Sequence, residues 1–238
     1  MISRVAVVPQ PPLLVPELVG GPDAGADEVR TASLAAASAL AESAARWVAV
    51  GAGGPATFDP ATGGTFAPFG VDIPVSLSRV KSGQLDRGLP LPVLVAGWLR
   101  DRAGADEVTV RLVPGDRDSG GCAADGVGLA ALLAGPEPVG LLVVGDGSHR
   151  HGDHAVGRPD GRAEAFDATV SRALAAADLD ALAGLDPALA AELGAVGRAP
   201  WQVAAAALRA DGRRWRGVRA RTFLPYGVAY HVAEWEPA

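Results

Sequence analysis

The sequence contains a single cysteine, Cys122, and therefore cannot form a disulfide bond within the chain. A chain without internal disulfides suits a reducing compartment, and we expect a cytoplasmic protein. No apolar run reaches the length of a membrane helix, and Pro9 interrupts the apolar N-terminal segment too early for a signal peptide. The sequence therefore predicts neither a membrane span nor a membrane partner.

Basic residues are also too few and too scattered to form a nucleic-acid-binding surface. The formal net charge is -6, and the one arginine cluster lies between residues 213 and 221. An acidic chain without a basic stripe is a poor binder of nucleic acid, so we expect no such partner. We expect the arginine cluster to lie on an exposed strand face. Cys122 has no histidine near it in sequence, and we interpret it as a small residue at the start of a helix.

The 238 residues are enough for one domain, and 49% of them are hydrophobic, which suffices for a full core. Aromatic residues make up only 5%, so aliphatic side chains must fill that core. We therefore expect a single domain spanning residues 1–238. The β-branched or uninterrupted apolar runs predict strands, and the alanine- and leucine-rich segments predict helices. Predicted strands lie at 5–8, 47–50, 107–113 and 139–144; predicted helices lie at 27–46, 91–103, 123–134, 164–175, 179–182, 187–193 and 201–208.

Strands alternate with helices over most of the chain, which is typical of the α/β class. We expect three layers, α/β/α, with a mostly parallel or mixed central sheet. Residues 215–223 and 228–235 alternate apolar and polar side chains around Leu224-Pro225-Tyr226-Gly227, which predicts a C-terminal hairpin. Residues 57–88 form a long irregular segment with one short strand near 71–75. Segments of that length are uncommon unless they are functional or flexible.

Three loops follow predicted parallel strands, at residues 9–12, 51–55 and 145–154. Ligands of open α/β sheets bind beyond the carboxyl ends of the strands. If the three strands are neighbours, the three loops meet at one edge of the sheet.

The loop at 51–56, Gly-Ala-Gly-Gly-Pro-Ala, fits the pattern G-x-G-x-x-A of dinucleotide-binding proteins. That pattern requires a helix to begin in the loop, because the helix N-terminus holds the pyrophosphate. Pro55, Pro60 and the glycines at 63 and 64 disfavour a helix here. A nucleotide-binding oxidoreductase therefore remains an alternative that depends on this loop alone.

The strongest chemical signal is the histidine loop, residues 146–154. Three of the four histidines lie within six residues, at His149, His151 and His154, together with Asp146 and Asp153. Histidine transfers protons near neutral pH and is the commonest metal ligand. The spacing is not a standard zinc pattern, however.

We select His149 with Asp146 as candidate catalytic residues, because His149 closely follows a buried strand and an Asp-Gly-Ser turn that ends at Ser148. For His151 and His154, an incidental place in a solvated loop is the simpler interpretation. The fourth histidine, His231, is more often a half-buried strand residue than a ligand when it stands alone.

Four short segments, at residues 7–12, 145–150, 157–167 and 224–230, together resemble motifs of one known family, the LigB-type class III extradiol dioxygenases and their MEMO-like relatives. Gly-Asp-Gly-Ser-His-Arg at 145–150 is similar to the family segment G-D-L-S-H-R, and 157–167 resembles its downstream P-R-x-x-x-F-D. Val-Val-Pro-Gln-Pro-Pro at 7–12 resembles the N-terminal P-H-P-P, and 224–230 resembles the C-terminal P-F-G-V-G-Y. The motifs occur in the family order over nearly the whole chain.

The resemblance implies an enzyme that cleaves catechol-type rings with a non-haem Fe(II) held by two histidines and a glutamate. His149 matches the family's acid/base histidine. The three ligand positions do not match, since they fall at Gln10, Gly53 and Phe223. Glutamine is a weak neutral donor, and glycine and phenylalanine cannot ligate, so we expect the iron site to be degenerate and no cofactor to be bound.

Two hypotheses follow from the resemblance. In the first, the protein binds a small molecule or a protein partner in the retained cleft, with Gln10, Gly53, Ser148, His151 and His231 as candidate binding residues. In the second, it is an active enzyme. This enzyme would be a dioxygenase whose Fe(II) or zinc is bound at a new site formed by the histidines of the chain. Alternatively, it would be a metal-free hydrolase or lyase that uses His149 with Asp146. The family is often oligomeric, which makes a homodimer possible.

Overall fold

A computed structural model describes residues 1–80 and 83–238. In these residues the chain alternates strands and helices, as predicted, and a mixed sheet lies at its centre. The strands are β1 (Ile2–Val8), β2 (Arg46–Ala52), β3 (Ala56–Phe58), β4 (Gly63–Thr65), β5 (Pro74–Ser76), β6 (Glu107–Val113), β7 (Val139–Val144), β8 (Trp215–Phe223) and β9 (Tyr230–Pro237).

The helices lie close to the predicted segments. They are α1 (Ala24–Ser43), α2 (Leu91–Ala103), α3 (Ser119–Leu133), α4 (Arg162–Ala176), α5 (Leu179–Ala183), α6 (Pro187–Leu193) and α7 (Arg198–Asp211). Four predicted helix starts, those of α1, α3, α4 and α7, were two to four residues too late. For α1 and α3 the reason is a capping aspartate that begins the helix earlier. Asp23 accepts a hydrogen bond from Ala26 N at 3.0 Å and begins α1, and Asp118 accepts one from Gly121 N at 2.6 Å and begins α3.

The seven-stranded sheet has the order β3-β6-β2-β7-β1-β9-β8. The pairs β2–β6, β2–β7 and β1–β7 are parallel, whereas β3, β8 and β9 pair antiparallel. β7 is the most central parallel strand, and all six of its residues are buried. This burial on both faces explains its uninterrupted apolar sequence.

The sheet is covered on both faces, which confirms the three-layer α/β fold. One hydrophobic core lies between the sheet and α1 and α2, and includes Leu40 and Leu94. The other core lies between the sheet and the helices α3 to α7, and includes Leu129 and Trp201. Alternate residues of β7 contribute to the two cores, since Val143 faces the second and Val144 the first.

The C-terminal hairpin is also present, but β9 differs from its prediction. β9 lies between β1 and β8 in the sheet, and α1 and α4 pack near it, so its residues from 230 to 235 are all buried. The alternation of apolar and polar residues at 228–235 had predicted a strand with one face exposed. The prediction for the arginine cluster is confirmed for three of its members: Arg216, Arg219 and Arg221 are exposed on β8, the edge strand. Arg213 and Arg214 precede the strand, and Arg213 is half-buried.

The long segment 57–88 contains more structure than predicted. Its short strand lies at β5, somewhat later than expected, and pairs with β4 in a second, two-stranded sheet. Phe66 and Leu77, in this segment, are fully buried in the core that contains α2. Lys81 and Ser82 lie outside the described residues. None of the helices described is long and apolar enough to cross a membrane.

Candidate functional site

The three loops singled out in the sequence do converge. β1, β7 and β2 are consecutive neighbours in the sheet, and their parallel pairing places Val8, Val144 and Gly51 side by side at its carboxyl edge. β9 enters the sheet at the same edge, because it runs antiparallel to β1. The loops at 9–12, 51–55 and 145–154 therefore start from one edge, as the general rule for α/β sheets predicts.

Asp146 directly follows this edge and bonds to the loop after β1. The backbone N–H of Gln10 donates to Asp146 Oδ1 at 2.7 Å. The Asp146 side chain is half-buried, and no Lys, Arg or His of the described residues forms an ion pair with it. Burial raises the pKa of this carboxyl to about 7, and the Gln10 N–H opposes the shift. Asp146 can therefore gain or lose a proton near neutral pH.

Two further polar groups lie at this edge. Tyr230 is buried at the start of β9, and its pKa is raised by burial and then by the nearby negative charge of Asp146. The side-chain Oε1 of Gln10 is buried and has no hydrogen-bond partner among the described residues. A buried acceptor without a partner is unusual and lowers the stability of the folded protein at this position.

His149 is half-buried and held by two backbone groups. The backbone N–H of His149 donates to Leu193 O at 3.2 Å, and the ring Nδ1 of His149 lies 3.1 Å from Val156 O. Since a carbonyl only accepts, Nδ1 must carry a proton, and the neutral ring keeps its lone pair on Nε2. The ring lies over Gly194, where a Cβ atom would stand 1.8 Å from Nε2.

The two candidate catalytic residues, His149 and Asp146, do not bond to each other. No hydrogen bond or ion pair joins the two side chains within residues 1–80 and 83–238, because each is held by its own backbone partner. The two groups lie on the same loop, but Asp146 does not orient the His149 ring, so each would contact a ligand independently.

A different carboxylate, Asp167 on α4, is the partner of the histidines. Its Oδ2 accepts from His151 Nε2 at 2.7 Å, and its Oδ1 accepts from His231 Nε2 at 2.8 Å. The backbone N–H of Ser148 also donates to it, at 3.2 and 3.3 Å from the two oxygens. Asp167 is almost fully buried, and these three donors replace the water that its charge has lost.

The interpretation of His151 was therefore wrong, and that of His231 was right about its place in the last strand but wrong about its burial. His151 is not incidental, because it bonds to a buried carboxylate. His231 is not half-buried but 1% exposed, and its Nδ1 lies 2.9 Å from Thr222 Oγ1. Trp201 packs edge-on against the His231 ring at 5.7 Å between centroids.

Besides bonding to Asp167, Ser148 joins the histidine loop to α6. Its hydroxyl donates to Leu193 O at 3.0 Å and accepts from Arg150 N at 3.1 Å. His154, in contrast, is exposed, in keeping with the prediction for it. The first half of the histidine loop is thus fixed by buried contacts, and its second half faces solvent.

The glycine loop does not have the geometry of a dinucleotide site. The chain continues from it into β3, and no helix begins there. Gly53 donates its N–H to Val113 O at 2.9 Å, and a Cβ at this position would stand 2.8 Å from Leu112 Cδ1. Close packing against β6 therefore accounts for this glycine.

The residues present do not fit the non-haem iron site that the resemblance implies. Gln10, Gly53 and Phe223 all lie at the carboxyl edge, but they supply one amide and no imidazole or carboxylate. Among the described residues, no three His, Cys, Asp or Glu side chains form a group that could hold a metal ion. His231 cannot contribute, since both of its ring nitrogens are already bonded within the protein.

Cys122 is a buried residue in the first turn of α3, as predicted, and burial raises the pKa of its thiol. Its neighbour Arg198 was not predicted. Arg198 is a buried residue on α7, and its guanidinium lies 3.6 Å from Cys122 Sγ. The role of Asp167 was also missed, although its Phe-Asp pair belongs to the motif at 157–167. Its place in that motif was the available signal, because the burial of Asp167 itself has no local sequence pattern.

Neither protein-family models nor curated proteins match this sequence. Among solved structures, the chain is similar to the uncharacterized protein JW3007 from Escherichia coli K12, with 13% identity and a TM-score of 0.54. The similarity covers 98% of this chain and 99% of that chain. At this identity the similarity shows the fold alone.

Proposed function

We propose that this chain is a LigB-like protein without the family's iron ligands, and that it binds a small molecule or a protein partner at the carboxyl edge of its sheet. The observation that supports the proposal most directly is the position of Gln10, Gly53 and Phe223. All three lie at this edge, where the resemblance expects two histidines and a glutamate.

The chemistry of these replacements favours binding without a resident metal. A two-histidine, one-carboxylate site supplies two imidazoles and one negative charge to Fe(II). Here one neutral amide remains, and Phe223 is packed in the core with 7% of its surface exposed. What the edge does offer is an unpartnered Gln10 acceptor, a protonatable Asp146 and the Nε2 lone pair of His149.

Elemental analysis tests the proposal first. The protein is expressed with supplemental iron and zinc and purified without chelators, and we expect far less than one equivalent of either metal. A nearly stoichiometric content of iron or zinc would overturn this part of the proposal.

A thermal-shift screen of small molecules then tests binding at this edge. A ligand found with the wild-type protein should lose affinity in His149→Ala. His154→Ala, on the exposed half of the same loop, is the matched control and should bind normally. Equal binding by all three proteins would place the ligand elsewhere.

A second candidate is a metal-free enzyme that depends on His149 and Asp146. It is favoured by the free Nε2 lone pair and by a carboxyl with a pKa of about 7, which are suitable for acid–base catalysis. Hydrolysis of 4-nitrophenyl acetate, which needs only acid–base chemistry, is the first assay. An activity that belongs to this site must fall in both His149→Ala and Asp146→Asn and persist in His154→Ala.

A further inference from the structure

The β6 pocket, a cavity separate from the histidine loop, lies between β3, the end of β6 and α3. Its volume is about 320 Å³, at the lower end of the range for pockets that hold small molecules. None of the described residues that line it belongs to the histidine loop, and β2 separates β6 from β7 in the sheet. Residues with apolar side chains form much of its wall, namely Pro55, Ala56, Leu112, Val113 and Pro114.

Arg111 of β6 lines this pocket and has unused hydrogen-bond donors. Its guanidinium lies against α3 at Gly128, where a Cβ atom would stand 2.8 Å from Nη1. Arg111 Nη2 lies 3.7 Å from Asp125 Oδ1, which is too long for a hydrogen bond. Within residues 1–80 and 83–238, none of the N–H groups of this guanidinium forms a hydrogen bond, although only 26% of the side chain is exposed. A half-buried guanidinium with free donors is well suited to bind a carboxylate.

Thr57 of β3 places a hydroxyl group beside this guanidinium. Thr57 and Arg111 lie directly opposite each other in the antiparallel pair β3–β6, so their side chains share one face of the sheet. Both residues line the pocket. The Thr57 hydroxyl forms no hydrogen bond with any residue that the structure describes, so it can donate to the same ligand as Arg111.

The charged residues that line the β6 pocket leave one positive charge in excess. They are two arginines, Arg111 and Arg117, and one aspartate, Asp125. Arg117 Nε lies 3.0 Å from Asp125 Oδ2, so a single carboxylate serves both guanidiniums. The other two carboxylates nearby in sequence, Asp116 and Asp118, do not line the pocket, and Asp118 caps α3. A ligand with a single negative charge would balance the charge of the pocket.

A buried arginine fixes the loop that carries Arg117. Arg198 is 1% exposed, and its guanidinium donates to Gly115 O at 2.7 Å and also to Arg117 O. No carboxylate of the described residues forms an ion pair with Arg198. Its charge therefore adds to the attraction of an anion, and its hydrogen bonds hold the loop in place before a ligand binds.

We propose that the β6 pocket binds a small organic monocarboxylate, whose carboxylate accepts hydrogen bonds from the Arg111 guanidinium and the Thr57 hydroxyl. The planar carboxylate can accept two parallel hydrogen bonds from the guanidinium. The apolar part of the ligand lies against Pro55 and Pro114, where its removal from water stabilises the complex. A phosphate dianion is less suitable, because its second negative charge would be unbalanced beside Asp125. This site is independent of the function proposed above.

Three probes with the same ring test the ligand chemistry. Benzoate carries one negative charge, benzamide carries none, and phenyl phosphate is a dianion at mildly alkaline pH. Nitrogen-15 NMR titrations of the full chain at that pH should show benzoate shifting the amide signals of residues 55–57 and 111–114, and binding about 10-fold tighter than benzamide. Equal affinity for benzoate and benzamide would overturn the proposal. So would tighter binding of phenyl phosphate, or benzoate shifts that occur only in the histidine loop.

Two variants remove the proposed donors. Thr57→Val keeps the shape of the side chain and should weaken benzoate binding about 3- to 10-fold, whereas Arg111→Gln should weaken it about 10- to 100-fold. Arg46→Gln is the matched control, because it removes the same charge from an exposed residue at the opposite, amino end of β2. It should leave benzoate affinity unchanged. Normal binding by Arg111→Gln, or an equal loss in Arg46→Gln, would overturn the proposal.

Asp125→Asn tests the charge of the pocket in the opposite direction. It removes the carboxylate that competes with the ligand for Arg111 and Arg117, and so leaves two positive charges in excess. We expect benzoate to bind several-fold tighter, an effect that a loss of folding cannot produce. Weaker binding of benzoate by an Asp125→Asn protein that remains folded would overturn the proposal.

Discussion

His231 and Asp167, 64 residues apart in the sequence, are joined by a hydrogen bond of 2.8 Å between Nε2 and Oδ1, and both side chains are buried. The second oxygen of the same carboxylate binds His151. Asp167 therefore ties the last strand of the sheet to the histidine loop through α4. The loop owes its position to a buried polar cluster, and such clusters are costly when one member is removed.

Asp167→Asn should destabilise the protein strongly. An amide can accept from only one of the two histidine N–H groups, and its own NH₂ faces the other, so one buried donor is left unpaired. We expect a loss of about 2–4 kcal/mol in the free energy of unfolding, measured by urea denaturation. Asp153→Asn makes the same change at an exposed position of the loop and should alter stability by less than about 0.5 kcal/mol. Similar losses in both variants would contradict a special role for Asp167.

The elements could be predicted from sequence because their signals are local. The uninterrupted apolar run of β7 and the repeated alanine and leucine residues of α1 fix both the type and the approximate place of each element. Strand order carries no such signal, since β1 pairs with β7 across more than 130 residues of sequence. Only the rule for α/β sheets indicated that their loops meet.

The candidate site was harder to predict for the same reason. His149 was identified from its place after a buried strand, but the partners of His151 and His231 come from a distant helix. The partner Asp167 on α4 is an ordinary helix residue in sequence. Its burial is decided by tertiary packing against the hairpin and the loop, and no local pattern records that.

Gly194→Ala should displace His149. Gly194 ends α6 with φ of +67°, and a Cβ there would overlap the imidazole. We expect the usual cost of a left-handed alanine, about 1–2 kcal/mol, plus a further loss from the overlap. Gly212→Ala is the matched control, because Gly212 has φ of +75° and nothing within 4 Å of its Cβ position. Urea denaturation of the two variants isolates the effect of crowding; equal losses would mean that His149 moves aside freely.

Arg198→Met should loosen the loop before α3. The buried guanidinium donates to Gly115 O at 2.7 Å and to Gln202 Oε1 at 3.0 Å, and also bonds Arg117 O. Methionine fills similar space but leaves these acceptors unpaired, so we expect a loss of about 2–4 kcal/mol. Hydrogen exchange should accelerate in residues 114–118. Arg172→Met, on the exposed face of α4, should change neither quantity; unaltered exchange in Arg198→Met would refute the role of its side chain.

The raised pKa of Asp146 predicts how stability depends on pH. An unfolded aspartate titrates near pH 4, whereas Asp146 in the folded protein titrates near 7. Between these values the folded state holds the extra proton, so this group makes stability fall as the pH rises through the window. The slope from one such group is at most about 1.4 kcal/mol per pH unit.

Asp146→Asn isolates this contribution, because asparagine still offers an oxygen to Gln10 N but cannot ionise. Urea midpoints measured at pH 5, 6, 7 and 8 should show the variant gaining stability relative to wild type as the pH increases, with the difference levelling off above about pH 7. Other titrating groups are common to both proteins and cancel in the comparison. Parallel curves would mean that Asp146 titrates normally, and the carboxyl would then be charged at neutral pH and unable to act as a proton donor at the carboxyl edge.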